Sequence, residues 1–379
     1  MIVDDTLREG LQAPGISYTK EEKLSLARII SSCGIKKALV SYPSAHFSES
    51  EITKKIVSEK IFDEVFALGR TLKQDIDAIY ETGANISLHL PFRLENMDKV
   101  MEAIRYAATK DRILEVSVVD VMKNSPGEII KLAKKVEESG ADIIQLPDTT
   151  GIGTPQKIGK LFSMARNEIK CEIDTHCHND NGLSVANAIA AIENGADRID
   201  TSLYGIGERN GITDTASISK FMELNGIVTG INQENMKKAY GKVLELILKK
   251  AGPDFFQNNF PVNGINVSTN TAGTHVAYSD VFTAKHMSFN VYAGKTMVDS
   301  VLKNKGINVD ETNLRRILEM VKDMAVETGM CITPSQIIYE YICRGDQLPE
   351  YFPVLFILEI KCDAPLVPVV KWKCAGTGF

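Results

Sequence analysis

Eight times within the first 225 residues, a short β-branched or apolar run gives way to a longer amphipathic stretch. The short runs are IVDD (2–5), KKALVSY (36–42), EVFAL (64–68), NISLHL (85–90), ILEVSVV (113–119), DIIQL (142–146), CEIDTH (171–176) and RIDTSL (198–203). Helix-like segments follow them near 20–33, 49–60, 72–82, 96–110, 127–139, 155–168, 182–194 and 213–224. Gly34, Gly83, Gly140 and Gly195 stand where four of those helices should end, in the left-handed cap that glycine adopts without steric cost. Parallel strands need crossover connections, so strand–helix alternation implies a parallel sheet. Eight units in this length predict an α/β fold, a closed (β/α)8 TIM barrel over residues 1–230. An open doubly wound sheet fits less well, because no Gly-x-Gly-x-x-Gly follows the first strand.

The rhythm stops after about residue 230. Residues 233–251 read as one amphipathic helix, 252–296 are rich in Asn, Gly, Thr and Pro, and helical signal returns near 297–304, 310–328 and 334–343. Residues 231–379 are therefore expected to form an appended, mostly helical region with linker and subdomain character. The tail from about 350 carries apolar runs such as VLFILEI (354–360), best read as core packing there or against a partner.

Composition narrows the function classes. With 43 basic and 49 acidic side chains the net charge is −6, which offers no electrostatic footprint for nucleic acid or an anionic membrane. The seven cysteines include no Cys-x-x-Cys, so neither a disulfide framework nor a zinc knuckle is indicated and a cytoplasmic setting is expected. The opening MIVDDTLREG places charges where a signal peptide needs apolar residues, and no apolar run reaches the ~18 residues of a membrane span. An enzyme acting on small molecules is the class that remains.

In a β/α barrel the active site lies at the C-terminal ends of the strands. Four predicted strand ends are rich in reactive groups: Asp5 to Gln12 after the first, Pro147 to Gly151 after the sixth, Thr175 to Asp180 after the seventh, and Tyr204 to Gly211 after the eighth. His176-x-His178 is the sharpest local signal. Alternate strand residues face one side, so both imidazoles can reach one ion, and the carboxylate of Glu9 is the natural third ligand. Two imidazoles and a carboxylate suit Zn, Mn, Co or Fe, and a wet site could hold Mg. An isolated His-x-His is more often a packing or rim pair. Here the chain has only six histidines and Asn179-Asp180 follows at once, which favours the metal. Arg8 beside Glu9 reads either as an exposed ion pair or as a guanidinium aimed into the barrel mouth, where its fork can hold a carboxylate or polarise a ketone. Glu208-Arg209, set between glycines that permit close backbone approach to a ligand, is open in the same way.

The segments DDTLREGLQAPG (4–15), LPDTTGIGTP (146–155), THCHNDNGLSVANA (175–188) and GIGERNG (205–211) together resemble the DRE-TIM metallolyase superfamily, and TNTAGTHVAY (269–278) extends the resemblance beyond the barrel. Within that superfamily the chain is similar to the acyl-CoA-condensing branch of homocitrate, 2-isopropylmalate and citramalate synthases. The resemblance implies a Claisen-type condensation of acetyl-CoA with a 2-oxo acid, a divalent metal held by Glu9, His176 and His178, and thioester hydrolysis. It implies Arg8 as stabiliser of the keto oxygen and His275 as acid/base residue, with Tyr278 or Tyr292 assisting and Glu208 near the reacting end. Gln12, His89, Thr149, Asp174 and Asn179 are the expected oxo-acid contacts, and a homodimer is the expected assembly.

Glu9 and GIGERNGIT (205–213) look most like lysine-pathway homocitrate synthases, whereas HLPFRL (89–94) matches the isopropylmalate and citramalate enzymes. Three positions depart from the homocitrate pattern: Glu115 replaces an arginine on strand 5 that holds a distal carboxylate, Leu39 replaces a glutamate, and Leu72 a histidine. Ile212 stands where some members carry a supporting asparagine. No room is expected after about residue 350 for the regulatory domain that isopropylmalate synthases commonly add. Two alternatives stay open. One is a carbon–carbon lyase or aldolase of the same superfamily, although the lyases' Gly-Cys-Pro loop is replaced by Gly207-Glu208-Arg209. The other is a diverged barrel without turnover.

Overall fold

A computed structural model describes residues 1–90, 97–271 and 286–344. Eight parallel strands close on themselves in sequence order: β1 (Ile2–Asp4), β2 (Lys37–Ser41), β3 (Glu64–Arg70), β4 (Asn85–His89), β5 (Leu114–Ser117), β6 (Ile143–Gln145), β7 (Glu172–Thr175) and β8 (Arg198–Thr201). The closing pair is β1–β8, with Val3 opposite Asp200 and Asp4 opposite Thr201. Each strand leads to one outer helix: α1 (Lys20–Ser32), α2 (Phe47–Ser58), α3 (Lys73–Tyr80), α4 (Met97–Ala108), α5 (Pro126–Glu138), α6 (Pro155–Glu168), α7 (Ser184–Glu193) and α8 (Thr215–Leu224). The chain is a TIM barrel, and every strand and helix read from the alternation is present within a few residues.

Local chemistry explains the boundaries. Thr19 and Ser125 start α1 and α5 with capping boxes closed by Glu22 and Glu128, so two orphan helix donors are satisfied at each start. Pro126 and Pro155 open their helices where no amide hydrogen bond is lost. Gly34, Gly83, Gly140 and Gly195 all have φ between 82° and 109°, the predicted caps.

The appended region continues with α9 (Gln233–Lys250), the short α10 (Phe255–Asn258), a two-stranded parallel pair β9 (Thr269–Asn270) and β10 (His286–Met287), then α11 (Lys295–Lys303), α12 (Glu311–Thr328) and α13 (Pro334–Arg344). Helix α9 buries Met236, Val243, Leu246 and Ile247 in the barrel's own hydrophobic core. Helices α11 to α13 build a second core around Val298, Leu302, Ile317, Val321 and Ile337.

The stretch after β10 returns to the barrel mouth. The Asn290 amide donates to the carbonyls of Leu11 and Ile16, and the Gly15 N–H donates to Ser288 Oγ at 3.2 Å. Val291 and Tyr292 are buried in the barrel core. On the far side, Lys322 Nζ donates to the Ala45 carbonyl at 2.6 Å and His46 Nε2 lies 3.0 Å from Asp323. Residues 286–325 therefore roof the β1–β3 sector of the mouth, the place where a barrel carries its chemistry.

Candidate metal centre and active site

Glu9 lies in a short 3-10 turn, Glu9–Gln12, that the chain makes directly after β1. The turn is pinned by Asp5, whose carbonyl and carboxylate both accept from the Glu9 N–H. Across the mouth, β7 brings up Asp174, and His176 and His178 follow just beyond its end. Glu9, His176 and His178 are buried, and each offers one ligand atom within 4.8 Å of the others. Their rings and carboxylate form an N,N,O donor set that could hold a divalent cation, and sets of three protein donors are the kind that keep a position open for substrate.

The surroundings orient these donors. His176 Nδ1 lies 3.0 Å from Asp200 Oδ2 on β8, a contact that orients the ring and leaves Nε2 as the candidate ligand atom. Burial lowers the His176 pKa to about 4, so its imidazole is neutral at pH 7, the state a ligand needs. Glu9 Oε1 accepts the Glu208 N–H at 2.8 Å, and the Gln12 amide nitrogen reaches both Glu9 oxygens at 3.2 and 2.7 Å. Gly207 makes this possible. A Cβ at that position would sit 2.9 Å from both Cγ and Oε1 of Glu9, so only a glycine lets the loop after β8 close over the ligand.

Arg8 is buried, not a surface ion pair. Its two terminal nitrogens are held by Glu9 and Asp5, while its Nε has no hydrogen-bond partner among the described residues. A buried cation with one spare donor beside the Glu9 carboxylate can meet an oxygen of a bound molecule. His89 ends β4, and burial, then Arg8 and His176, push its pKa down to about 3. It therefore faces the site as a neutral hydrogen-bonding group.

Other expected contacts serve mainly as frame. Thr149 Oγ1 accepts the Asp120 N–H at 2.8 Å, and its carbonyl accepts Arg209 Nη2 at 2.7 Å. Arg209 also grips both oxygens of Asp180 at 2.7 and 2.9 Å, locking the loops after β6, β7 and β8 together. The Asn179 side chain accepts from the amide and hydroxyl of Ser184 at the start of α7. Asp174 sits two residues before His176 inside the barrel, 3.4 Å from the Gln145 amide. The Glu208 carboxylate accepts the Thr271 N–H at 3.0 Å and so moors the root of the segment that bears His275. His275 and Tyr278 themselves lie outside the described residues. Tyr292 is buried with its hydroxyl donating to Glu49 at 2.6 Å, and Glu49 is also gripped by Lys23.

The departures from the homocitrate pattern also find places. Glu115 is buried inside the barrel, accepting from Ser87 Oγ at 2.7 Å. Leu39 packs with Phe66, Leu68 and Ile143 in a small apolar cluster. Leu72 is exposed at the start of α3, and Ile212 pairs with His178 through the backbone. Sequence reasoning missed Asp5 and Asp200. Neither carries a local signal that marks it as a partner of His176, and only barrel closure brings them within 3.8 and 3.0 Å of His176 Nδ1.

These groups give the metal-free protein a predicted pH signature. Burial raises Asp4 to about 7 and Asp148 to about 6, so between pH 8 and 6 the native state takes up protons that the unfolded chain does not. Stability should rise as pH falls through that window. Asp200, raised to about 7, and Asp5 and Asp174, raised well above the usual carboxylate range, add to the same uptake and outweigh the opposing demand of His89 and His176, which stay neutral when folded but protonate when unfolded. Thermal melts of chelator-treated protein should therefore show a higher melting temperature at pH 6 than at pH 8. A melting temperature that climbs steadily from pH 6 to 8 would contradict this.

The HMGL-like family pattern matches residues 1–243. The 2-isopropylmalate synthase of Sulfolobus acidocaldarius is 31% identical over 367 residues, spanning 88% of this chain and 92% of the relative. That of Methanocaldococcus jannaschii is 32% identical over 288 residues, covering 72% of this chain and 55% of the relative. Among solved structures, the HMG-CoA lyase of Bacillus subtilis superposes with a TM-score of 0.59 at 20% identity, over 67% of this chain and 94% of the lyase, which speaks for the fold alone. No helix among the described residues is long and apolar enough to cross a membrane. With its barrel, its motifs and relatives of this identity over most of its length, the chain belongs to the HMGL-like family of DRE-TIM barrels, in the acyl-CoA-condensing branch that includes the 2-isopropylmalate synthases.

Proposed function

We propose that the protein condenses acetyl-CoA with a 2-oxo acid whose side chain is uncharged, and that Glu9, His176 and His178 hold the divalent metal. The observation that carries this reading is the buried three-donor set at the barrel mouth with the Arg8 guanidinium locked beside it. Relatives named 2-isopropylmalate synthase supply the reaction class. When bound, the cation supplies Lewis-acid polarisation of the keto group.

The chain's own residues do the rest. Arg8 meets negative charge developing on the keto oxygen, since its charge is fixed and its Nε is available. Gln12 and the neutral His89 orient the oxo acid by hydrogen bonding. Thr149 shapes the mouth through the loop it pins. His275, which follows in the chain after the Thr271 amide that Glu208 holds, moves the proton between the thioester methyl and the product, with Tyr278 assisting.

Glu115 selects the side chain. It is an acid buried within the electrostatic reach of His176, and a second carboxylate on the substrate would be repelled there, not held. This favours oxo acids such as 2-oxoisovalerate or pyruvate over 2-oxoglutarate. A thiol-release assay with acetyl-CoA, added metal and a panel of 2-oxo acids tests both parts. CoA release with an uncharged oxo acid is the expected result. Release with 2-oxoglutarate alone overturns the side-chain assignment, and cleavage of a hydroxyacyl-CoA without any synthesis overturns the reaction.

A further inference from the structure

His89 and Leu90 stand on opposite sides of one wall. Neighbouring strand residues face opposite ways, so His89 turns to the barrel mouth while Leu90 turns outward, towards the helices. Behind Leu90 lies a cavity of about 440 Å3, on the far side of that wall from the metal ligands. Val118 continues β5 beside it, its N–H donating to the Gln145 carbonyl at 2.9 Å. Met97 of α4 and Ile129 and Leu132 of α5 complete an apolar lining. None of these residues has a part in the proposed condensation.

Two polar features break that lining. The first is Asp120, which is 2% exposed and left-handed in its backbone at φ 57°, ψ 44°. Its N–H donates to Thr149 Oγ1 at 2.8 Å and its Oδ1 accepts from Thr150 Oγ1 at 3.1 Å, so the carboxylate is fixed. Its Oδ2 has no hydrogen-bond partner among the described residues, although Lys123 Nζ lies 3.4 Å away and answers the charge. A buried acceptor whose charge is balanced but whose hydrogen bond is missing needs a neutral donor, such as a hydroxyl. The second feature is the pair Lys131 and Lys135, exposed one turn apart on α5. Neither is ion-paired among the described residues. Glu128, an acid that shares their cavity, is committed to the helix start through the N–H and hydroxyl of Ser125 at 3.3 and 2.7 Å.

From Glu128 to Lys135 the lining follows α5 for about 10 Å, at ~1.5 Å per residue. A molecule that meets Asp120, fills the apolar space and reaches both lysines is of drug size, as the volume allows. It brings a hydroxyl, a body that tolerates aliphatic walls and an anion. We propose that the cavity binds a free nucleoside monophosphate, with a ribose hydroxyl on Asp120 Oδ2, the base between the aliphatic walls and the phosphate on Lys131 and Lys135. Dinucleotide-binding folds hold a ribose hydroxyl on an acidic side chain in the same way. Coenzyme A and its thioesters are disfavoured, because the phosphate on their ribose brings an anion to the Asp120 carboxylate. The site does not depend on the condensation reading. Its occupant touches the residue that holds Thr149 and Thr150 in the loop after β6.

Calorimetry on the metal-loaded protein, with AMP, GMP, CMP and UMP in turn, tests this. At least one nucleotide should bind, at a single site per chain. Lys131→Ala and Lys135→Ala should each weaken it roughly tenfold, the scale of one charged contact. The same nucleoside without phosphate, and the nucleotide with a dideoxyribose, should lose comparable affinity. Leu132→Trp, which fills the cavity, should abolish binding, whereas His178→Ala should leave it unchanged, with circular dichroism confirming that each variant is folded. Silence of every nucleotide at millimolar concentration, binding that ignores both lysine substitutions, or binding that His178→Ala abolishes overturns the site. CoA binding that is tighter than that of any nucleotide, and weakened by the same lysine substitutions, overturns the choice of a free nucleotide.

Discussion

His178→Ala protein is expected to retain less than about a tenth of the wild-type metal content after dialysis and to lose at least ~10³-fold in turnover. Outer partners of a metal site typically control about 10–100-fold in affinity, and an inner ligand controls more. His178 is one of only three donors in the buried set, so its loss leaves one imidazole and one carboxylate. The fold should survive, because the backbone pairing of residue 178 with Ile212 and the β6–β7 contacts do not involve the imidazole. Metal analysis by plasma mass spectrometry, with circular dichroism alongside, measures both. Full occupancy and wild-type rate in this variant would falsify the ligand assignment.

Arg8→Met has the second large effect, and it acts on stability as well as on rate. The guanidinium is the shared counter-ion of Asp5 and Glu9, all three buried. Removing one partner of a buried ionic network typically costs about 3–5 kcal/mol, because the remaining charge is left uncompensated. The loss should depend on pH in a definite direction. Burial already raises Asp5 well above the ordinary carboxylate value, and Arg8 is the group that holds it down. Without Arg8 the folded Asp5 pKa rises further, so the destabilisation is fullest at alkaline pH and shrinks as the carboxyl takes up a proton on acidification. Denaturant melts of metal-free wild type and variant should therefore differ more at pH 8 than at pH 5.5. Turnover should drop by ~10²–10³-fold, the usual scale for one preorganised charge-stabilising group. A pH-independent gap, or a rate within a few-fold of wild type, would show that Arg8 is merely structural.

Much of this site was legible before any coordinates. Glu9, His176 and His178 share a cluster because each follows a strand, and a closed barrel gathers strand ends whatever their distance in sequence. Arg8 could not be settled that way: an adjacent Arg-Glu pair looks alike on a surface and in a core, and only the closing β1–β8 pairing shows it buried. The family resemblance implies Asn179 and Thr149 as substrate contacts, yet their side chains also serve Ser184 and Asp120, since polar atoms at a crowded rim must first satisfy neighbouring backbone. Gly207 reads from the sequence as a glycine that permits close backbone approach to a ligand, and the structure shows that the room it leaves is taken by Glu9.

Local order alone determined the barrel, its helix caps and the residues that line its mouth, because period, capping and turn chemistry act within a few residues of chain. Tertiary structure decided which charges lost water together, which carboxylate steadies His176, and that residues 286–325 roof the mouth to enclose a cavity. Burial and long-range pairing belong to no single segment, so no local pattern could encode them.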